Sequence, residues 1–355
     1  MLTHLQLYNF KNFTEKQFIF SSPVTIIYGQ NGIGKTNVLD AIHYISFTKS
    51  FLPIKDSDAI RFNEQNFIIQ ATVTKENTQD TIACTYNLQN KKKNILVNSI
   101  AYKTLSEHIG IFPSIIISPA DIALINGSST ERRKFLDMTI SQTDTEYLNT
   151  LIEYTSLLNQ RNIVLKKENA QLYTNDYLSI IDEKLCKAGK YIFQKRKIAI
   201  MELQPIFTEY LKRITLHDTM QLYYNSILEQ YDFMELLIRN REKDYIYEYT
   251  TQGIHKDDID FHLFNQPIKT IGSQGQKKTC VIALKLAQYY YTYLKTSNKP
   301  IILIDDFFDK LDNQRTSTLL ELIVNKDFNQ IIITHTDKTQ TLQPNNDIEF
   351  IELTV

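Results

Sequence analysis

The chain has 355 residues, 39 of them Lys or Arg and 40 Asp or Glu, for a formal net charge of −1. Its 43% hydrophobic and 22% charged residues are ordinary for a soluble globular protein and exclude a polycation, so any nucleic-acid contact has to come from a local basic surface. The length predicts about two domains, or one domain carrying a large insertion.

The chain opens in strand texture. "LTHLQLYNF" alternates, "FIF" follows, and "VTIIYG" ends on a glycine. The N-terminus has no basic region before an apolar run, and no apolar run approaches the ~18 residues of a membrane span. A cytoplasmic protein with no membrane partner is expected. "GQNGIGKTNVLDAIHYIS" then turns helical, with Val38, Ala41, Ile42 and Ile45 at helical spacing. "FIIQATVT", "TIACTYNL" and "NILVN" read as three strands, with Lys91, Lys92 and Lys93 in the last turn between them. "SIIIS" at 114–118 has the apolar run of a buried strand and is closed by Pro119.

After Pro119 the texture becomes helical and charged, up to about Tyr245. Tyr147, Leu151, Tyr154, Leu158 and Leu165 lie close to a heptad seam. A second long helix is expected to run until Pro205, and the two would form a short antiparallel arm. Strands are expected again at "YIYEYTTQ" and "IDFHLF". A polar turn, "GSQGQ", then feeds a helix whose core face is Val281, Leu284, Leu286, Ala287, Tyr290 and Leu294. "PIILIDDFFDKLD" and "QIIITHTD" read as buried strands ending in polar residues. The expected organisation is one split α/β core, 1–120 and 246–355, with a helical lobe, 121–245, inserted. The three cysteines, Cys84, Cys186 and Cys280, match no metal or redox spacing and read as buried thiols.

Two stretches carry chemistry. "GQNGIGKT", Gly29 to Thr36, satisfies G-x-x-x-x-G-K-[ST] in full, between a predicted strand and a predicted helix. Its members are Gly29, Gln30, Asn31, Gly32, Ile33, Gly34, Lys35 and Thr36. Glycines let backbone N–H groups point inward at a phosphate, Lys35 can reach the β- and γ-phosphates, and the Thr36 hydroxyl is placed for Mg²⁺. The bland alternative is a glycine-rich strand–helix turn, and the full motif in its context weighs against it. In "IILIDDFFDKLD", Asp305 and Asp306 emerge at the C-terminal end of a buried strand, where ligands collect in parallel sheets. Asp305 would hold Mg²⁺ and Asp306 would orient or deprotonate a water. The alternative is an Asp pair capping the next helix.

Phosphate loop, S-x-G-Q turn, double acid after a buried strand and a D-x-x-D together resemble the ABC-type ATPases. Within these, "LQLYNFKNF", "ISPADIALINGSSTERRKFLD", "GIHKDDIDFHL" and "ILIDDFFDKLD" are similar to blocks of the RecF family of DNA-repair ATPases, relatives of SMC heads, in the same order. The resemblance implies an ABC-type head, a mixed sheet with a phosphate-loop core, carrying a helical arm lobe. It implies ATP and Mg²⁺ as cofactors, with Asn37 joining the phosphate loop in nucleotide contact and Asp305 as the metal partner. Ser273, Gln274, Gly275 and Gln276 would act in trans on the nucleotide of a second copy. Asp312 would cross the dimer interface, and Ser118 to Asp121 would replace a nucleotide-sensing loop. Gly272 and Gln274 depart from the general signature, and His335 stands where transporter ATPases carry a switch histidine. For His335, a catalytic role and simple strand capping both remain open.

The family also implies binding to duplex DNA and gapped junctions as an ATP-dependent homodimer, weak ATPase activity, and the partners RecR and RecO. The chain's own candidates for phosphate contact are Lys184, Lys187, Lys190, Lys195, Arg196 and Lys197, a run with no acid. A solvated helix face explains the same run. "NKKKN" at 90–94 and "ERRKF" at 131–135 are open in the same way. A transporter ATPase subunit, and a non-catalytic scaffold or anti-phage ATPase of the broader SMC-like class, are the competing functions; salt-sensitive DNA binding on gapped and plain duplex separates them from a DNA-binding switch.

Overall fold

The computed structural model describes residues 1–75, 78–166, 175–215, 217–306, 328–336 and 347–354. The chain divides into two compact units. One comprises 1–121 and 282–355, the other 122–281. The second therefore runs past the expected boundary at 245, because the segment after it supplies further strands and the first turns of a helix.

In the first unit, β1 (Leu2–Phe10) and β2 (Phe13–Ile19) form a hairpin. Leu2 is out of phase with Leu5 and Leu7, yet all three are buried. A register shift between Leu2 and His4 reconciles them by moving one residue across the pleat. β3 (Val24–Tyr28) leads through the phosphate loop into α1 (Lys35–Phe47). Then come β4 (Asn66–Lys75), β5 (Thr78–Asn87), β6 (Lys92–Val97), the two-residue β7 (Ile100–Ala101) and β8 (Ser114–Ile117). One antiparallel sheet has the order β2-β1-β4-β5-β6-β7.

The second unit begins with the short α2 (Ala123–Asn126), α3 (Ser129–Ser141), α4 (Thr145–Val164) and the 40-residue α5 (Asn175–Ile214). β9 (Met220–Asn225), α6 (Phe233–Arg239), α7 (Arg241–Tyr247), β10 (Asp258–Leu263), β11 (Gln266–Pro267) and α8 (Ile268–Ile271) follow. α9 (Gln274–Thr296) leaves this unit after Val281. β9, β10 and β11 make a small antiparallel sheet. Asp144 meets Lys195 at one end of the α4–α5 pair and Arg161 meets Asp182 further along, so the two helices run antiparallel as expected.

Back in the first unit, β12 (Ile301–Asp305), β13 (Gln330–His335) and β14 (Ile348–Glu352) complete a parallel sheet of order β14-β3-β13-β12-β8. β12 and β13 are buried along their whole length, which is why they read as unbroken apolar runs. α1 packs into one core with strands of both sheets: Val38, Leu39, Ala41, Ile42 and Ile45 meet Leu7, Ile69 and Ile82 from one, and Ile27, Leu303 and Ile332 from the other. Burying each of the Val, Leu and Ile side chains contributes roughly 1.5–3 kcal/mol, so the start of α1 rests on a stiff base. All three cysteines are free and buried, and burial pushes the Cys84 and Cys186 thiols up to about 12, leaving them protonated.

Three expectations are corrected. α5 continues through Pro205 to Ile214. Pro205 is exposed, so the carbonyl it cannot pair with faces water, while Leu203, Phe207, Tyr210 and Leu211 keep the next turns in the core. "YIYEYTTQ" is no strand: α7 ends at Tyr247 and Glu248 takes a left-handed cap with φ 62°. Its strand-like composition is overruled by Asp244, which is buried and accepts from Arg161 and from the N–H and hydroxyl of Thr251. In the α4 seam Leu157 and not Leu158 is buried, and Arg161 occupies a seam position with no exposed surface.

Candidate nucleotide site and signature turn

The carboxyl ends of β3, β12 and β13 place Gly29, Asp305 and His335 along one edge of the parallel sheet, with Asp305 level with Thr334 and His335 level with Tyr28. Gly29 needs its missing side chain, because a Cβ there would lie 2.6 Å from the Leu353 carbonyl oxygen. Gly34 has φ 110° and caps α1 without any side-chain hydrogen bond. No acidic residue stands in the first turn of α1. That end therefore keeps N–H groups that no side chain of its own caps, a condition for holding an anion.

Lys35 is buried and donates through Nζ to the carbonyls of Gly29 at 2.8 Å and Gln30 at 3.1 Å. Its charge is folded back on the loop that would carry the phosphates. Thr36 Oγ1 donates to Asp305, 2.8 Å from Oδ1 and 3.1 Å from Oδ2, which joins the phosphate loop to the acidic strand end. Thr334 Oγ1 donates to the Asp305 carboxylate at 2.9 Å and accepts from the Asp306 N–H at 3.1 Å. Asp306 takes a left-handed backbone conformation with φ 37°. His335 is buried at the end of β13. Asp312 lies outside the described residues.

Two supports were not legible in the motif. Asn12, at the β1–β2 turn, donates to the Ile33 carbonyl at 2.9 Å and accepts from Asn37 Nδ2 at 2.7 Å. It fills the space a Cβ on Gly34 would need, 2.5 Å away. Beside it Lys11 pairs with the buried Asp40 of α1 at 2.6 Å. Thr334 is the second. Further along α1, His43 is buried, donates through Nδ1 to the Lys49 carbonyl at 2.9 Å and stacks on Phe47. Burial pushes its pKa down to about 4, so the ring is neutral.

The signature turn lies in the second unit. Ser273 and Gln274 are exposed. Gln276 N donates to Ser273 Oγ at 3.2 Å, while Ser273 N donates to Gln276 Oε1 at 2.9 Å, a reciprocal capping box at the start of α9. Gln276 Nε2 donates to Asp218 at 2.9 Å. In the turn after β8, Asp121 accepts from Ser118 N at 2.7 Å and pairs with Lys285 at 2.7 Å.

The basic run on α5 separates by use. Arg196 is 2% exposed; it donates to both oxygens of Asp137, to Asp257 and to the Ile254 carbonyl. It is withdrawn from any DNA surface, because an apolar-periodic helix turned that position inward and the carboxylates followed. Lys195 pairs with Asp144, Lys190 with Asp232 and Lys197 with Glu229. Lys184 and Lys187 are exposed. In "ERRKF", Arg132 grips Asp258 with two hydrogen bonds and Arg133 donates to the Asp257 carbonyl. Lys93 pairs with Asp56 and donates to the Thr48 carbonyl, whereas Lys91 and Lys92 are exposed.

Comparison with known proteins supplies a family. The model of the RecF/RecN/SMC N-terminal domain matches residues 1–349. The "DNA replication and repair protein RecF" of Flavobacterium johnsoniae is 42% identical over 345 residues, 96% of either chain. That of Parabacteroides distasonis is 40% identical over 341 residues, 95% of this chain and 92% of its own. Among solved structures, the "recombination mediator protein RecF-ATPrS in RecFOR pathway" superposes with a TM-score of 0.89 at 30% identity, covering 98% of this chain and 97% of that one. An SMC head bound to the C-terminal winged-helix domain of ScpA shares the fold, with a TM-score of 0.55 at 16% identity.

Proposed function

The chain belongs to the RecF branch of the RecF/RecN/SMC family, and on that premise we propose that it serves DNA replication and repair as an ATP-driven, DNA-binding switch. The single observation that carries the reading is the 2.8 Å contact between Thr36 of the phosphate loop and Asp305 of β12. A neutral hydroxyl and a carboxylate, side by side at the mouth of an uncapped helix, are hard oxygen donors of the kind Mg²⁺ takes. Bound there with ATP, the ion would neutralise charge on the β- and γ-phosphates. Lys35 exchanges the Gly29 and Gln30 carbonyls for phosphate oxygens, a stronger charge-assisted contact. Asp306, whose N–H is held by the same Thr334 hydroxyl that binds Asp305, orients the attacking water, and His335 closes the same edge of the sheet. Asn37 and the loop from Gly29 to Thr36 hold the nucleotide.

Ser273 and its neighbours then complete the site on a second copy of the chain, so ATP favours a two-fold dimer and hydrolysis releases it. Slow turnover suits such a timing role. Lys184 and Lys187, exposed on α5, supply sequence-independent contacts to duplex phosphates at gapped junctions. RecR and RecO are the proposed protein partners, in keeping with the RecFOR setting of the solved relative. Sedimentation with ATP, ADP or no nucleotide, with and without gapped duplex, tests the switch. ATP alone is expected to drive dimer formation and DNA retention. Equal mass with ATP and ADP would overturn it.

A further inference from the structure

We propose that Asp218 is a positioning residue for the signature turn: it locks the Gln276 amide in one orientation and thereby sets the Ser273 hydroxyl as an outward donor. This rests on the reading, given above, that Ser273 addresses the phosphate of a second copy.

The lock follows from which groups can donate and which can only accept. An amide side chain has one accepting end and one donating end, and rotation by half a turn exchanges them. Gln276 touches a group of each kind. The Asp218 carboxylate can only accept, so it takes Nε2, at 2.9 Å. The Ser273 N–H can only donate, so it takes Oε1, at 2.9 Å. The two neighbours agree, and the flipped amide would fail with both. Thr215 Oγ1 donates to the other Asp218 oxygen at 3.3 Å, which holds the carboxylate in turn. Lys277, next along α9, is spent on the Lys269 carbonyl and does not compete for Asp218.

The consequence falls on Ser273. Its Oγ accepts the Gln276 N–H, so its own hydrogen is left to point outward from an exposed turn. A hydroxyl donor is what a phosphate oxygen requires. Asp218 lies four residues past Ile214, the last residue of α5, so the orientation of the signature turn is tied to the segment that follows that helix.

The lock differs testably from a plain helix cap. S-x-x-E caps a helix as well as S-x-x-Q does. A pure cap therefore predicts that Gln276→Glu is harmless. The lock predicts harm, because the new carboxylate faces Asp218. It also predicts rescue by Asp218→Asn, which supplies the missing donor and restores the original charge. In nucleotide-free protein, exchange of the Ser273 and Gln276 amides should quicken about tenfold in Gln276→Glu and return to within about twofold of the starting rate in Asp218→Asn/Gln276→Glu. ATP-driven association should weaken and recover in parallel, while ATP affinity of the monomer stays constant. Slow exchange in Gln276→Glu, or no recovery in the double variant, overturns the lock. If the unaltered chain fails to associate with ATP, the switch reading falls and the exchange rates alone decide for or against the lock.

Discussion

Two helices of this chain begin after glycine-rich turns, and their first turns are finished differently. The N-terminus of α1 has no side-chain cap and no acid in its first turn, and Lys35 lies across the loop carbonyls. That of α9 is closed by its own Ser273 and Gln276, with Asp218 behind them. An open end has free N–H groups to give and holds an anion by its backbone. A closed end has spent two of them and can offer only a side chain. On the proposed function, the same local chemistry would serve holding in one case and presenting in the other.

The sharpest way to break this contrast is to remove one side chain from each. Lys35→Met is expected to weaken ATP binding by the monomer by about a hundredfold or more. Ser273→Ala should leave that affinity within about twofold. Titration with a fluorescent ATP analogue reads both, and a similar loss in the two variants would end the distinction.

A second prediction concerns the hold on α1. His43 is neutral in the fold, with its pKa pushed down by burial to about 4 from an ordinary 6.5. The unfolded chain takes up the proton below pH 6.5 and the folded chain only below about 4, so stability falls as pH drops through that window. The full effect is on the order of 3 kcal/mol. His255 behaves alike, its pKa also pushed by burial to about 4. The urea midpoint should fall between pH 7 and 5, and His43→Leu should make that fall shallower. An unchanged slope in the variant would show that the ring plays no part.

The smallest effect extends the contrast from helix ends to helix flanks, between charges already committed and charges still available. Lys184→Ala and Lys187→Ala should each reduce the slope of log affinity for duplex DNA against log salt by about one. Lys190→Ala, which loses its Asp232 partner, should change the slope little and stability by less than about 1 kcal/mol. Equal slopes in all three would move the DNA surface elsewhere.

Much of the nucleotide end was legible before the structure. The phosphate loop is contiguous, and buried parallel strands advertise themselves as apolar runs, so Gly29 to Thr36 and Asp305 could be placed on a strand edge from local pattern alone. Asn12 and Thr334 could not, since each acts on residues distant in the chain through a single amide or hydroxyl. Arg196 was misjudged for a related reason. Composition counts its charge, but only packing shows that it faces Asp137 and Asp257 and not solvent. Pro205 and "YIYEYTTQ" show local preference yielding to tertiary contacts.

Sequence alone therefore determined the chemistry at the head of α1, because backbone geometry and glycine placement are local properties. It also showed a second polar turn feeding a helix, at Ser273, which the family resemblance marks as the turn expected to act in trans. Only the tertiary structure decided which way the Gln276 amide of that second start is turned. That depends on Asp218 arriving from the segment after α5, 58 positions away from Gln276. Hydrogen-bond polarity is settled by whichever groups meet in space, and no motif of five residues contains that information.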